Sequence, residues 1–297
     1  MQAFTYLRAA DAGQAVALLA AYGPAARILA GGTDLLVALK AAAPAPSVVI
    51  DIAAAADMRG IAVIDEGLRL GALVTHSEIV ESALVHALCP GLAEAARAIG
   101  AVQTRNLATL GGNLMTCVPS MDSGPMLLAL EAWVTVASPR GPRRCPLHDL
   151  FVGPRRTSLR PDEVLVEVVI PGAQLGKPAA FRKLGLRKGQ ALALVNAAAS
   201  FRPYRGGDSF REVRIALGAV APTVIRAPRA EAFLEGRPIT AAAMAEAGRI
   251  AATEASPIDD FRASAAYRRA VIAVLVHRAL AGAQAQAGGE ARVPCST

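Results

Sequence analysis

No Gly-x-Gly-x-x-Gly occurs in this chain, and no Gly-Lys-Ser/Thr. The first absence argues against a dinucleotide held on a doubly wound sheet, and the second against nucleoside triphosphate hydrolysis on a phosphate loop. There is no Gly-x-Ser-x-Gly, no His-Glu-x-x-His and no calcium-binding loop of the helix–loop–helix type, so serine hydrolase, zinc protease and calcium-sensor chemistry lack their residues. The four cysteines, Cys89, Cys117, Cys145 and Cys295, form no Cys-x-x-Cys and have no histidine at ligand spacing. No zinc or iron–sulfur site is therefore encoded locally. With no secretory leader evident, reduced thiols in a cytoplasm are expected. The four histidines, His76, His86, His148 and His277, have no acid or thiol at motif spacing, and are read as structural or surface residues. Aromatic residues are only 4%, too few for base-stacking platforms.

What the chain does have is apolar mass. Of its 297 residues 54% are hydrophobic and 19% charged, which supports two domains or three small ones with substantial cores. The Lys and Arg excess, 31 against 24 acids, is scattered without a long basic block. It reads as a solvated surface with partner-facing patches and not as a nucleic-acid footprint. The Ala-rich stretch at Ala41–Ala45 is broken by proline and too short to span a bilayer.

The most informative residues are two glycine pairs. Gly111-Gly112 lies within Gln103–Asp122, flanked by Thr109 and Asn113, and Gly31-Gly32 lies within Ile28–Leu36. Each follows an apolar run. Glycine lets backbone approach a ligand closely, and a glycine turn entering a helix offers converging N–H donors to a diphosphate. The two loops together suggest a nucleotide cofactor held from two sides, with Asp122 placed to hold a sugar hydroxyl. Lys183, with Arg187-Lys188 beyond it, reads equally as a solvated strand end or as a candidate cation near a flavin edge.

The pattern predicts strand, helix and strand at Phe4–Leu7, from an Asp11 cap to Ala21, and at Ala26–Ala30. A helix over Leu35–Lys40, capped by Thr33 and Asp34, leads to a strand at Val48–Ile52. A hairpin follows around Asp65-Glu66-Gly67, then a capping box at Thr75 and Glu78, a helix over Gly91–Ile99, and another over Met126–Leu130. Strands are expected at Trp133–Ser138, Arg143–Pro146 and Glu163–Ile170. Turn residues at Gly172–Pro178 mark a domain boundary. Beyond it come strands Ala179–Leu184, Ala193–Arg202 and Glu212–Ala219, the last two joined by a turn at Arg205–Asp208. Two helices, Thr240–Thr253 and Ser264–Ala283, precede a mobile tail over residues 288–297.

Several stretches bear a family resemblance. LAGGTDLL at Leu29–Leu36, TRNLATLGGNL at Thr104–Leu114, PSMDSGPMLLALEA at Pro119–Ala132 and FVGPRRTSLRPDEVLVEVVIP at Phe151–Pro171 carry it in the first half. FRKLGLRKGQALALVNAA at Phe181–Ala198, Leu217–Ala227 and Arg262–Arg269 extend it. The chain resembles the FAD-binding medium subunit of the xanthine dehydrogenase, or molybdenum hydroxylase, family, with the xanthine dehydrogenase branch as the nearer likeness. The same subunit type in a carbon monoxide, nicotinate, aldehyde or aromatic-substrate dehydrogenase is the alternative, and a stand-alone flavin oxidase a further one. The resemblance implies an α+β fold: a two-lobed FAD domain of the vanillyl-alcohol-oxidase type over residues 1–175, with lobes of about 1–58 and 59–175. A C-terminal domain of antiparallel sheet and helices over 176–287 would follow. It implies that Ile28, Leu29, Ala30, Gly31, Gly32, Thr33, Asp34 and Leu35, together with Thr109, Leu110, Gly111, Gly112 and Asn113, hold the diphosphate. Asp122 would bind a ribityl or ribose hydroxyl, Ile99 and Leu165 would line the flavin or adenine, and Lys183 would lie beside the isoalloxazine.

The implied partners are a molybdopterin subunit that oxidises the substrate and a subunit with two [2Fe–2S] clusters. NAD or another compound would be the final acceptor, and the assembly a dimer of heterotrimers in the cytoplasm. The chain departs from many relatives at Ala191, where they carry an Asp. Lone Cys117 argues against an added [4Fe–4S] cluster, and the absence of His and Cys from both glycine loops points to non-covalent FAD.

Overall fold

The computed structural model of the chain describes residues 3–41, 46–204 and 208–288. The expected turn at Arg205–Asp208 for its first three residues, the tail beyond Gly288 with Cys295, and residues 42–45 of the alanine stretch lie outside them.

The first lobe holds β1 (Thr5–Arg8), α1 (Ala12–Tyr22), β2 (Ala26–Leu29), α2 (Leu35–Lys40) and β3 (Val48–Asp51). Asp11 caps α1 by accepting the Gln14 N–H at 2.7 Å. The three strands form a parallel sheet in the order β1-β3-β2, so β3, buried along its first three residues, is central. Asp34 occupies the cap position of α2 but makes no capping bond there. Its carboxylate instead accepts the Thr116 hydroxyl, 82 residues away, at 3.4 Å, which corrects the expected Thr33/Asp34 cap.

The next stretch runs through β4 (Ile61–Ile64), β5 (Gly67–Gly71), α3 (His76–Glu81), α4 (Ala83–Leu88), α5 (Pro90–Arg97), α6 (Val102–Arg105), α7 (Leu110–Thr116) and α8 (Ser123–Ala129). It continues with β6 (Trp133–Ala137), β7 (Arg143–Pro146), α9 (Leu147–Leu150), β8 (Phe151–Gly153), β9 (Arg156–Thr157) and β10 (Val164–Pro171). An antiparallel sheet in the order β4-β5-β10-β6-β7 organises this part, and β8 pairs with β9. The Thr75–Glu78 capping box forms in both directions. Helices α4, α6 and α9 were not expected; each is a few residues long and set by local turns more than by apolar period. The second glycine pair is no loop: Gly111 and Gly112 sit in the first turn of α7.

After residue 178 come β11 (Ala179–Gly185), β12 (Ala193–Pro203), β13 (Phe210–Gly218), β14 (Ile225–Arg226), α10 (Pro228–Leu234), α11 (Ala241–Glu254) and α12 (Ala265–Gly288). The strands form one antiparallel sheet in chain order. Helix α10, with Pro228 at its start, was also unexpected. β12 is buried through its first nine residues because both its faces are covered. Ala198, with Ala179, Phe181 and Ala216, packs into the core of the preceding part. Val195, Ala197, Ala199 and Phe201 pack with Ile272, Val276 and Leu280 of α12 on the other. α12 is long and apolar enough to cross a membrane by length and composition. Here it packs on β11, β12 and α11 through one face, with Ile272, Val276, Ala279 and Leu280 buried.

Candidate functional site

Two cavities adjoin beside the β2–α2 turn and α7. The first, about 500 Å³, is walled by the β2–α2 turn, the start of α7 and the beginning of β10. The second, about 260 Å³, is walled by Ile99, Gly100 and Asp122 and by Gln190–Leu192 between β11 and β12. Asp34, Asn113 and Thr116 belong to both walls, so the two form one cleft, of a size suited to an extended ligand.

Most of the residues expected in the site meet here. Ile28, Ala30, Gly31, Gly32, Thr33, Asp34, Leu35, Thr109, Gly111, Gly112, Asn113 and Leu165 line the first cavity, and Ile99 and Asp122 the second. Three do not. Leu110 is fully buried in the core behind the cavity, Leu29 is outside both walls, and Lys183 stands behind Asp122.

The donors are divided unequally between the two glycine segments. At α7 the backbone N–H groups are spent within the fold. Leu110 donates to the Val74 carbonyl, Gly111 to Ala72, Gly112 to Thr109 Oγ1, and Asn113 to the Thr109 carbonyl. At the β2–α2 turn, among the described residues, none of the N–H groups of Gly31, Gly32, Thr33, Asp34 or Leu35 has a protein acceptor. Five consecutive donors without protein acceptors on a cavity wall are what an anion-binding concavity requires. Gly32, with φ +73, turns the chain there. A Cβ on Gly112 would meet no atom within 4 Å except Thr109 Oγ1, at 2.9 Å, because that side of α7 opens on the cavity. Asn113, in both cavity walls, accepts from Ser123 Oγ at 2.6 Å through Oδ1, which leaves its amide N–H groups without a protein acceptor.

Charge is arranged around this concavity. Glu163, in the first wall, is held by Arg143 at 2.8 and 3.0 Å and by the Arg160 N–H, so its carboxyl sits below the usual range. Arg155, also in that wall, has positive φ, and its N–H donates to the Cys117 carbonyl, itself at a left-handed residue. Its guanidinium makes no hydrogen bond among the described residues. In the sequence, Arg155 and Arg156 are part of the scattered basic residues that read as solvated surface. At the second cavity, Lys183 Nζ donates to Asp122 Oδ2 at 2.5 Å and to the Ala98 carbonyl at 2.9 Å. Burial pushes the Asp122 carboxyl up despite Lys183 and Asn196 beside it. Asp122 is thus already engaged by protein donors, where a sugar hydroxyl had been expected. No cluster of potential metal ligands occurs among the described residues.

The cleft thus offers an extended ligand a turn with free N–H donors, a helix start opened by glycine and a buried Lys–Asp pair. Residues 2–173 match the family model of the FAD-binding domain in molybdopterin dehydrogenase, and residues 179–283 that of the carbon monoxide dehydrogenase flavoprotein C-terminal domain. The chain belongs to the FAD-binding medium subunits of the xanthine dehydrogenase and carbon monoxide dehydrogenase family. It is 34% identical to the carbon monoxide dehydrogenase medium chain of Hydrogenophaga pseudoflava, over 95% of this chain and 98% of the relative. It is 33% identical to the xanthine dehydrogenase FAD-binding subunit of Escherichia coli O157:H7, over 96% and 98%. The solved carbon monoxide dehydrogenase from Hydrogenophaga pseudoflava, lacking the Mo-pyranopterin moiety, contains a chain superposing with a TM-score of 0.92 at 35% identity, over 96% and 98%. This medium subunit is an oxidoreductase component with an α+β fold.

Proposed function

We propose that the cleft holds one FAD non-covalently and that this subunit relays electrons within a molybdenum hydroxylase complex. The observation that carries the reading is the run of five free N–H groups from Gly31 to Leu35 on the wall of the larger cavity. These would hold the diphosphate, with the amide of Asn113 and the guanidinium of Arg155 beside them. Gly112 would leave the space a side chain would otherwise fill, and Leu165 would cover the adenine end. The flavin ring would occupy the smaller cavity against Ile99, with the Lys183–Asp122 pair at its edge. When bound, FAD supplies an acceptor of single electrons that can release a pair. The chain's share is to bind it, shield it from water and set the charge beside it. Two carboxylates of the cleft wall, Glu163 and Asp122, are tied to Arg143 and Lys183, and no histidine lines the cleft among the described residues, which favours a relay over a self-contained oxidase.

Substrate oxidation would then take place on a molybdopterin-binding large subunit, with electrons arriving through a small subunit bearing two [2Fe–2S] clusters and leaving to NAD or another acceptor. A cytoplasmic dimer of heterotrimers completes the proposal, with the seam between FAD domain and C-terminal domain near residues 172–178. Purines or related N-heterocycles are the proposed substrate class. Carbon monoxide is the second reading, because identity to the two kinds of relative is nearly equal, 34% and 33%. The test is to purify the chain alone. A yellow protein with one FAD per chain, inert towards reduced organic compounds, supports the relay. A folded, colourless protein that takes up no added FAD rules it out.

A further inference from the structure

Lys183, Asn196 and Gly218 stand in one row across three strands. Lys183 on β11 is the register partner of Asn196 on β12, and Asn196 is the partner of Gly218 on β13. The row meets Asp122 at the start of α8, in the wall of the smaller cavity.

Asn196 is fully buried. Its amide nitrogen donates to Asp122 Oδ1 at 2.8 Å and to the Met121 carbonyl at 3.0 Å. Both donors are spent on acceptors, so turning the amide over would set an oxygen against two oxygens. The price of this orientation is Asn196 Oδ1, which has no hydrogen-bond partner. Leaving a buried acceptor unmatched is unfavourable, and an aliphatic residue would fill a strand interior without it. What the amide supplies is a fixed place for the Asp122 carboxylate. With Oδ1 held by Asn196, Oδ2 is the oxygen left for Lys183, whose ammonium is held on its other side by the Ala98 carbonyl. Room for the amide comes from Gly218, where a Cβ would stand 2.2 Å from Asn196 Oδ1 and 3.2 Å from the Pro119 carbonyl.

We propose that Asn196 is a positioning residue for the flavin end of the cleft, acting through Asp122 to set the place of the Lys183 ammonium, with Gly218 making its room. The inference rests on the FAD reading above. Without the Asn196 donor, Asp122 Oδ1 loses its partner and the carboxylate is held through Lys183 alone. The cation then sits less well for the negative charge that reduction adds to a flavin.

The test uses the full chain with bound FAD and reads the midpoint potential by spectroscopic redox titration, with the FAD dissociation constant measured beside it. Asn196→Ala and Gly218→Ala should each favour the oxidised over the reduced flavin by at least tenfold, about 30 mV more negative for a two-electron couple. Combined, they should shift the potential no further than Asn196→Ala alone, because no amide is left for the new methyl to strike. Asn196→Ser is the milder variant and should shift the potential in the same direction. Unchanged potentials in the folded variants overturn the positioning role, as do additive shifts in the double variant. Failure of all three single variants to fold also overturns it, since the role requires a folded subunit with an altered flavin. A wild-type chain that takes up no FAD overturns the cofactor reading itself, a separate outcome.

Discussion

A Cβ on Gly31 would stand 1.8 Å from the carbonyl oxygen of Leu107. The turn that follows β2 therefore rests directly on the backbone that enters α7, and the two glycine segments form one wall by contact. Gly31→Ala should separate them. Overpacking of this kind costs about 1–3 kcal/mol, and here the neighbour is backbone with little freedom to yield. The expected result is a lower unfolding midpoint and loss of FAD together, seen by thermal melts with and without added FAD.

Gly112 makes the opposite prediction. Gly112 lines the cavity, and a Cβ there would meet only Thr109 Oγ1, at 2.9 Å, so Gly112→Val should cost the Thr109 cap of α7, about 1 kcal/mol, while weakening FAD binding by roughly 100-fold, about 2.7 kcal/mol. Fluorescence titration of the apo variant checks this. Wild-type affinity would place the ligand elsewhere.

Lys183→Met removes the cation of the buried pair. FAD should remain bound, because the free N–H groups at Gly31–Leu35 are untouched, while reduction becomes harder by a few tens of millivolts, about 30 mV for each tenfold change. A redox titration matching wild type would count against a place at the flavin edge.

His76 gives a pH dependence. It is fully buried with both ring nitrogens unpartnered, and burial, with a smaller effect of Arg105, lowers its pKa from 6.5 to about 4. The folded state keeps the ring neutral where the unfolded chain would protonate it. Stability is thus unaffected above pH 6.5 and declines as pH falls from there to about 4, by on the order of 3 kcal/mol in all. His76→Phe should flatten that decline in denaturant titrations across the window.

Legibility in the sequence followed the range of the forces. Local signals were readable: Asp11 and Thr75 cap their helices through bonds three residues long, and the β4–β5 hairpin showed in its turn residues. Helix α7 was hidden because two glycines lower helix propensity by about 1 kcal/mol each. Its first turn is held from outside, by carbonyls of Ala72 and Val74. The cleft could be assembled from two glycine pairs, but which pair keeps its N–H groups free depends on those distant acceptors. Asn196 was hidden for a similar reason, with its partner 74 residues away. A lone amide in the middle of an apolar strand was its only local mark.

The double-sided burial of β12 has a consequence for how the molecule comes apart. Helices α5 and α8 pack on the β11–β13 sheet from one side and α12 from the other, so the sheet is common ground to both cores. A chain ended near residue 175 would leave α5 and α8 without the sheet they pack on. Calorimetry of the intact subunit should show one heat-absorption peak, and two well-separated peaks would mean that the sheet belongs to one core alone.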